Sequence, residues 1–126
     1  MKYIPPYVHP TTPIPRPVYT LWSVLEELHH TPIKMMWVGG RISKQFGYYI
    51  PAVISYLPGV QHRLAIDFSG HNGTWVAGNR KRSLACANLG MEYMTIQRKA
   101  SRAEMMSEIG AMVSQLKRQL EIEPHG

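Results

Sequence analysis

The stretch spanning residues 63–98 constrains the fold more than any other part of the chain. It opens with an apolar run at 64–68, passes through a glycine-punctuated polar loop, and enters a basic helix that begins at Asn79. Gly90 stops that helix, and a second apolar run follows at 93–96. Two strands joined by a helix of this length indicate a crossover connection in a parallel or mixed sheet. The polar residues gather where the first strand ends and the helix begins, the usual place for a site in such units.

The first part of the chain divides into an arm and a helix. Residues 1–16 contain five prolines, which favour extended backbone and exclude a helix interior. From residue 17 apolar side chains recur at helical spacing, which predicts an amphipathic helix that ends near His29. We therefore predict a Pro-rich N-terminal arm, residues 1–16, and a single α/β domain, residues 17–126.

The remaining elements complete the predicted fold. Apolar runs at 34–38 and 47–56 predict two further strands, and Pro51 favours an edge position or a bulge for the second of them. Ser101 stands three residues before Glu104, a capping box that predicts the start of a long terminal helix. The predicted order of elements is αβββαβα, with a central mixed sheet flanked by helices. The sheet should contain residues 48–56, 61–69 and 92–97. The side chains expected to be buried include Leu64, Ile66, Phe68, Leu84, Met94 and Ile96.

Charge and cysteine content limit the classes of function. Fourteen Lys and Arg residues against eight Asp and Glu give a net charge of +6. This excess favours phosphate-rich partners, and a solvated basic surface is the alternative interpretation. A single cysteine excludes a disulfide framework and a cysteine-rich zinc site, and Cys86 is expected to be a small buried hydrophobe. The Pro-rich start lacks the apolar segment of a secretory leader, and no apolar run approaches the ~20 residues of a membrane span, so we expect a cytoplasmic protein.

The order of elements and the sequence of the central stretch resemble the restriction-endonuclease-like PD-(D/E)XK superfamily, in particular the very-short-patch-repair endonucleases. That pattern has an acid on the third strand, a Gly and a His after it, an Arg-led helix that ends in Leu-Gly, and an apolar strand. These places are held here by Asp67, Gly70, His71, Arg82, Leu89, Gly90 and residues 91–96. The resemblance covers residues 17–121 and implies an αβββαβ core followed by a C-terminal helix.

The chain departs from that pattern at the metal site. A nuclease of this kind needs two or more carboxylates around Mg²⁺ and usually a Lys, because hard oxygen ligands hold the ion while activated water attacks the phosphate. The Pro-Asp place is Pro51-Ala52 here, and the acid-x-Lys place is Asp67-Phe68-Ser69. We therefore predict a degenerate site without a bound metal or cofactor.

The first functional hypothesis is a nucleic-acid-binding protein, with double-stranded DNA as the expected partner and an accessory role in DNA processing. Lys and Arg would gain affinity by displacing counterions from phosphates. His71 could contact a phosphate, ligate a metal, or simply bond to backbone. The candidate contacts are Arg80, Lys81, Arg82, Arg98, Lys99, Arg102 and His71.

Two other hypotheses stay open. The protein could be an active Mg²⁺-dependent nuclease whose catalytic residues are Asp67 and a migrated acid such as Glu26, although Glu26 and Glu27 also fit a solvated helix face. It could instead be a protein-interaction subunit of a phage or mobile-element complex. The Pro-rich arm or the Met-rich terminal helix would then bind a partner or a second copy.

Overall fold

Among the residues that the structure describes, three helices and four strands follow one another in the predicted order. The structure is a computed structural model that describes residues 16–28, 34–36, 50–56, 62–70 and 73–122. Its elements are α1 (Arg16–Leu28), β1 (Lys34–Met36), β2 (Ala52–Ser55), β3 (Arg63–Phe68), α2 (Gly73–Asn88), β4 (Glu92–Ile96) and α3 (Arg102–Ile122). The strands form a mixed sheet in the order β1-β2-β3-β4, antiparallel except for the parallel pair β3 and β4. The predicted α/β class and element order are thus confirmed.

One face of the sheet packs against α1 and α3. Successive side chains of a strand alternate between the two faces, so Leu64, Ile66 and Phe68 point together into this core. Trp22 of α1 is completely buried here, and its indole N–H donates to the carbonyl oxygen of Pro51 at 3.0 Å. Every strand residue predicted to be buried lies in this core, so the sequence pattern identified this face correctly.

The opposite face packs against α2. Val53 and Ala65 of the sheet contact Cys86 of the helix in a smaller apolar cluster. Asp67 has the parity of Ala65 and therefore faces α2 as well. We call the end of the sheet at which the parallel strands β3 and β4 finish the carboxyl edge. A crossover of this kind places the start of its helix at that edge.

Two predictions about α2 were wrong. Leu84 was expected to be buried, but it is 63% exposed, because the small side chains of Ala85 and Cys86 face the sheet and neighbouring helical positions point about 100° apart. The helix begins at Gly73 rather than at Asn79. Gly and β-branched residues are poor helix formers, so the early part of α2 carries no local helix signal.

Of the two alternatives predicted from Pro51, an edge position or a bulge, the edge position is wrong. β2 lies between β1 and β3, and it therefore has a hydrogen-bonded neighbour on each side. Pro51 directly precedes the first residue of β2, so its missing N–H removes nothing from the ladder.

The predicted end of α2 and the predicted start of α3 are confirmed. Gly90 has a φ of +72° and terminates α2, and the N–H groups of Gly90 and Met91 donate to carbonyls of the last helical turn at 3.0 and 2.9 Å. Ser101 and Glu104 form the predicted capping box, since each side chain accepts from the other residue's backbone N–H at 3.1 Å.

The methionines of α3 contribute to the core of the protein itself. Met105 is buried, and Met106 and Met112 pack against the same cluster. Among the described residues, no helix combines the length and apolar character needed to cross a membrane. Residues 1–15, His29 and His71 lie outside the described part of the chain, so the predictions made for them stay predictions.

Candidate functional site

A buried carboxylate lies near the carboxyl edge. Asp67 is only 3% exposed. Its Oδ1 accepts from the backbone N–H of Phe68 at 2.8 Å, and its Oδ2 accepts from Arg82 Nε at 2.5 Å and from the Tyr93 hydroxyl at 2.6 Å. A carboxylate removed from water is tolerated only when it is paired and hydrogen-bonded, and Arg82 and Tyr93 supply both requirements.

Asn79 joins this carboxylate to the backbone that follows β3. Its Oδ1 accepts from the N–H of Gly70 at 2.9 Å. Its Nδ2 lies 3.0 Å from the Phe68 carbonyl oxygen, 3.0 Å from the Tyr93 hydroxyl and 3.2 Å from Asp67 Oδ2. Two amide hydrogens serve three acceptors, so at least one bond is shared. The side chain fixes the carboxyl end of β3 against α2.

We refer to Asp67, Asn79, Arg82 and Tyr93 as the Asp67 cluster. Burial, followed by the hydrogen bond to Asp67, raises the pKa of the Tyr93 hydroxyl well above its usual range, so the group stays protonated and donates. Burial alone would lower the pKa of Arg82. The hydrogen bond and charge of Asp67, with Tyr93, outweigh that effect and raise it. Arg82 therefore stays charged and Tyr93 stays protonated across the ordinary pH range.

Cys86 lies on the same face of the sheet but offers no nucleophile. Burial, and then the charge of Asp67, raises the pKa of its thiol to about 11. The reactive form of cysteine is the thiolate, which is scarce at neutral pH when the pKa is so high. The prediction of a small buried hydrophobe is confirmed.

A cavity opens at the carboxyl edge itself. It has a volume of about 550 Å³ and is lined by Ser69, Gly70, Gln97, Arg98 and Lys99. The Ser69 N–H donates to the carbonyl oxygen of Ile96 at 2.8 Å, which holds the two walls of the cavity together. Small-molecule sites in proteins commonly have volumes of this order. The described lining carries two cations and no carboxylate, so an anion is the ligand that it favours.

A smaller cavity of about 170 Å³ adjoins the first through a shared residue. Its lining includes Arg16 and Thr20 of α1 together with Arg98 and Met105. The guanidinium carbon of Arg98 lies 5.7 Å from the centre of the Phe68 ring, a cation–π distance. We call the surface formed by Arg16, Arg98 and Lys99 the cationic groove. Sequence reasoning missed Arg16, because only the folding of α1 beside the end of β4 brings it to this edge.

The structure distributes the other predicted phosphate contacts over different surfaces. Arg80 and Lys81 are exposed on α2, whereas Arg82 turns inward to Asp67. Arg102 begins α3, on the other side of the sheet, and forms an ion pair with Glu27 of α1. The six Lys and Arg residues predicted to contact phosphate therefore do not form one continuous surface around α2. Arg98 and Lys99 meet at the cavity, and Arg16 joins them.

Magnesium does not fit the donors available at Asp67. The other acids with described side chains are Glu26, Glu27, Glu92, Glu104 and Glu108. The helices α1 and α3 lie on the face opposite Asp67, and Glu92 shares the parity of Met94, which points to that same face. The undescribed segments 1–15, 29–33, 37–49, 57–61 and 71–72 contain no Asp or Glu, and the remaining acids are Glu121 and Glu123 at positions beyond these. Within the described part of the chain, no three His, Cys, Asp or Glu side chains gather as metal ligands.

Asp67 and Glu26, the two residues named for the nuclease hypothesis, therefore lie on opposite faces of the sheet. The oxygens of Asp67 already accept from Phe68, Arg82 and Tyr93.

Compared with protein-family models, curated proteins and solved structures, the chain shows no match.

Proposed function

We propose that the protein binds nucleic acid through its phosphate backbone at the carboxyl edge, on a nuclease-like fold in which an ion pair stands where a metal would be held. One observation carries this proposal. Asp67 is paired with Arg82 and Tyr93, while Arg98 and Lys99 border an open cavity at the same edge. The αβββαβα order and the parallel β3–β4 pair agree with the expected endonuclease-like core.

The charge of the cationic groove supports phosphate binding. Arg16, Arg98 and Lys99 are exposed, and the described residues that line the two cavities include no carboxylate. Cations presented in this way gain affinity by releasing counterions from phosphates. Such contacts position a backbone without reading its sequence, so we propose binding of low sequence specificity. Arg80 and Lys81 are exposed on α2, on a different surface, and would contribute only long-range attraction to phosphates.

The chemistry of the Asp67 cluster supports binding without hydrolysis. Metal-assisted hydrolysis needs carboxylate oxygens free to coordinate an ion that generates a nucleophilic water. Here the positive charge beside Asp67 belongs to Arg82. Unlike a metal ion, a guanidinium has no open coordination position at which a water could bind. Binding without cleavage fits an accessory factor of DNA processing better than a nuclease.

A paired assay of binding and cleavage tests this function. We expect the protein to retard a duplex DNA fragment in a gel at low salt, and to leave supercoiled plasmid intact with millimolar Mg²⁺ or Mn²⁺. Absence of any DNA binding at low salt would overturn the proposal. Metal-dependent nicking that disappears in Asp67→Asn would favour the nuclease hypothesis instead.

The protein-interaction hypothesis is supported by a different surface from the one predicted. Leu84 and Leu89, at α2 and its end, are 63% and 47% exposed. The methionines Met105, Met106 and Met112 of α3 lie against the core instead. Sedimentation at high salt over a range of protein concentrations would detect self-association that is independent of charge.

A further inference from the structure

We propose that the carboxyl-edge cavity receives a single unpaired nucleotide together with its phosphate, so that overhangs and single-stranded ends are the preferred ligands. This inference rests on the proposed function and deepens it. Cations on a convex surface are sufficient for contact with duplex phosphates. A concave site of about 550 Å³ adds room for a base and sugar that have left the stack.

The side chains of the cavity suit the parts of a nucleotide. Lys99 and Arg98 supply positive charge for the phosphate at the rim. The Gln97 amide offers donors and an acceptor that match the polar edge of any base, and guanidinium planes such as that of Arg98 are common stacking partners of unstacked bases. A base paired within a duplex presents neither its Watson–Crick edge nor its face, so the cavity selects against it.

The cavity is preformed by bonds that do not involve a ligand. The Ser69 N–H is bound to Ile96, and the Gly70 N–H is bound to Asn79, so the backbone on one wall is fixed from both sides. A site whose walls are held in place loses little conformational freedom when it binds. Asn79 thus acts as a positioning residue for the cavity through its hold on Gly70.

Anisotropy titrations with three labelled DNA probes test the inference. The probes are a blunt duplex, the same duplex with a phosphorylated single-stranded overhang, and the single strand alone. We expect about tenfold tighter binding of the overhang than of the blunt duplex, in line with the measured benefit of stacking one base. A deoxynucleoside monophosphate should compete with the overhang probe and remove its advantage over the blunt duplex. Inorganic phosphate at equal concentration should not.

Two variants locate the preference. Gln97→Trp places a bulky ring in the cavity from an exposed position, so we expect the ratio of overhang affinity to blunt-duplex affinity to fall to about one. Gln119→Trp, at another exposed glutamine, on α3, is the matched control and should keep the preference. Should Gln97→Trp fail to fold by circular dichroism, Gln97→Ala and competition by monophosphate make the same test.

Each result decides one question. Equal affinity for all three probes overturns the nucleotide inference and leaves backbone binding intact. A preference that survives in Gln97→Trp, or that inorganic phosphate removes as well as a monophosphate does, overturns the assignment to this cavity. Failure to bind any probe overturns both this inference and the proposed function.

Discussion

Asp67 shows how a single buried charge organises the carboxyl edge. Its carboxylate is removed from water, and donors from α2, β4 and its own strand replace the lost hydration. A buried ion pair adds little net stability, because desolvation offsets attraction, but removing one partner leaves an uncompensated charge. The cluster therefore matters more for fixing the geometry of Gly70 and Asn79 than for overall stability.

Removing Arg82 should destabilise the protein strongly. We expect Arg82→Ala to lower the free energy of unfolding by about 3–5 kcal/mol, because Asp67 would stay buried without a countercharge. Arg80→Ala, an exposed position two residues earlier in α2, should change it by less than about 0.5 kcal/mol. Urea denaturation of the two variants measures both values. Equal effects would mean that the Asp67–Arg82 pair is not formed in solution.

Stability should fall at alkaline pH through Cys86 and Tyr93. Folding raises both pKa values above the ordinary 9.0 of a thiol and 10.0 of a phenol, so it favours the protonated forms. Their contribution is fully present below pH 9 and is lost as the pH rises, for the thiol through its folded pKa of about 11. Unfolding free energies measured from pH 8 to 11 should decline less steeply in Tyr93→Phe and in Cys86→Ala. Identical slopes in the wild type and both variants would contradict this explanation.

The crossover formed by β3, α2 and β4 is the element on which the site depends. The order of strand, helix and strand could be predicted from sequence, because the alternating apolar residues of β3 and the helix-ending Gly90 are local signals. The start of α2 could not, since Gly73 and the residues directly after it have low helix propensity and give no local signal. The inward turn of Arg82 depends on Asp67, fifteen residues away, and no local pattern encodes that pairing.

Two glycines in different backbone conformations should respond oppositely to alanine. Gly90 has a positive φ, and nothing lies within 4 Å of a Cβ placed there, so Gly90→Ala costs only the backbone strain of about 1 kcal/mol. Gly110 lies inside α3 with similar open space, so Gly110→Ala should stabilise by about 0.5–1 kcal/mol. Thermal melts should show a lower midpoint for the first variant and a higher one for the second. A higher melting midpoint for Gly90→Ala would contradict the positive φ of Gly90 at the end of α2.

Across the whole molecule, the excess of positive charge becomes informative only once its location is known. Sequence reasoning predicts a basic protein and includes Arg98 and Lys99 among the candidate phosphate contacts. It groups them with the cations of α2, because the two sets are close in sequence. Folding instead joins them with Arg16 at the end of the sheet, a contact between distant parts of the chain. That Ala52 and Ser69 occupy the places of a carboxylate and a Lys in the endonuclease pattern can, by contrast, be read directly from the sequence.

The salt dependence of duplex binding tests phosphate recognition at the carboxyl edge most directly. The slope of log K against log salt should become shallower by about 2 in the double variant Arg98→Ala/Lys99→Ala, since each lost phosphate contact removes about 0.9. The control Lys117→Ala/Arg118→Ala removes the same charge from α3, about 22 Å along the helix from its first residue, Arg102. It should leave the slope unchanged. Equal loss of slope in both double variants would show that only net charge matters. An unchanged slope in Arg98→Ala/Lys99→Ala would show that nucleic acid does not bind at the cationic groove.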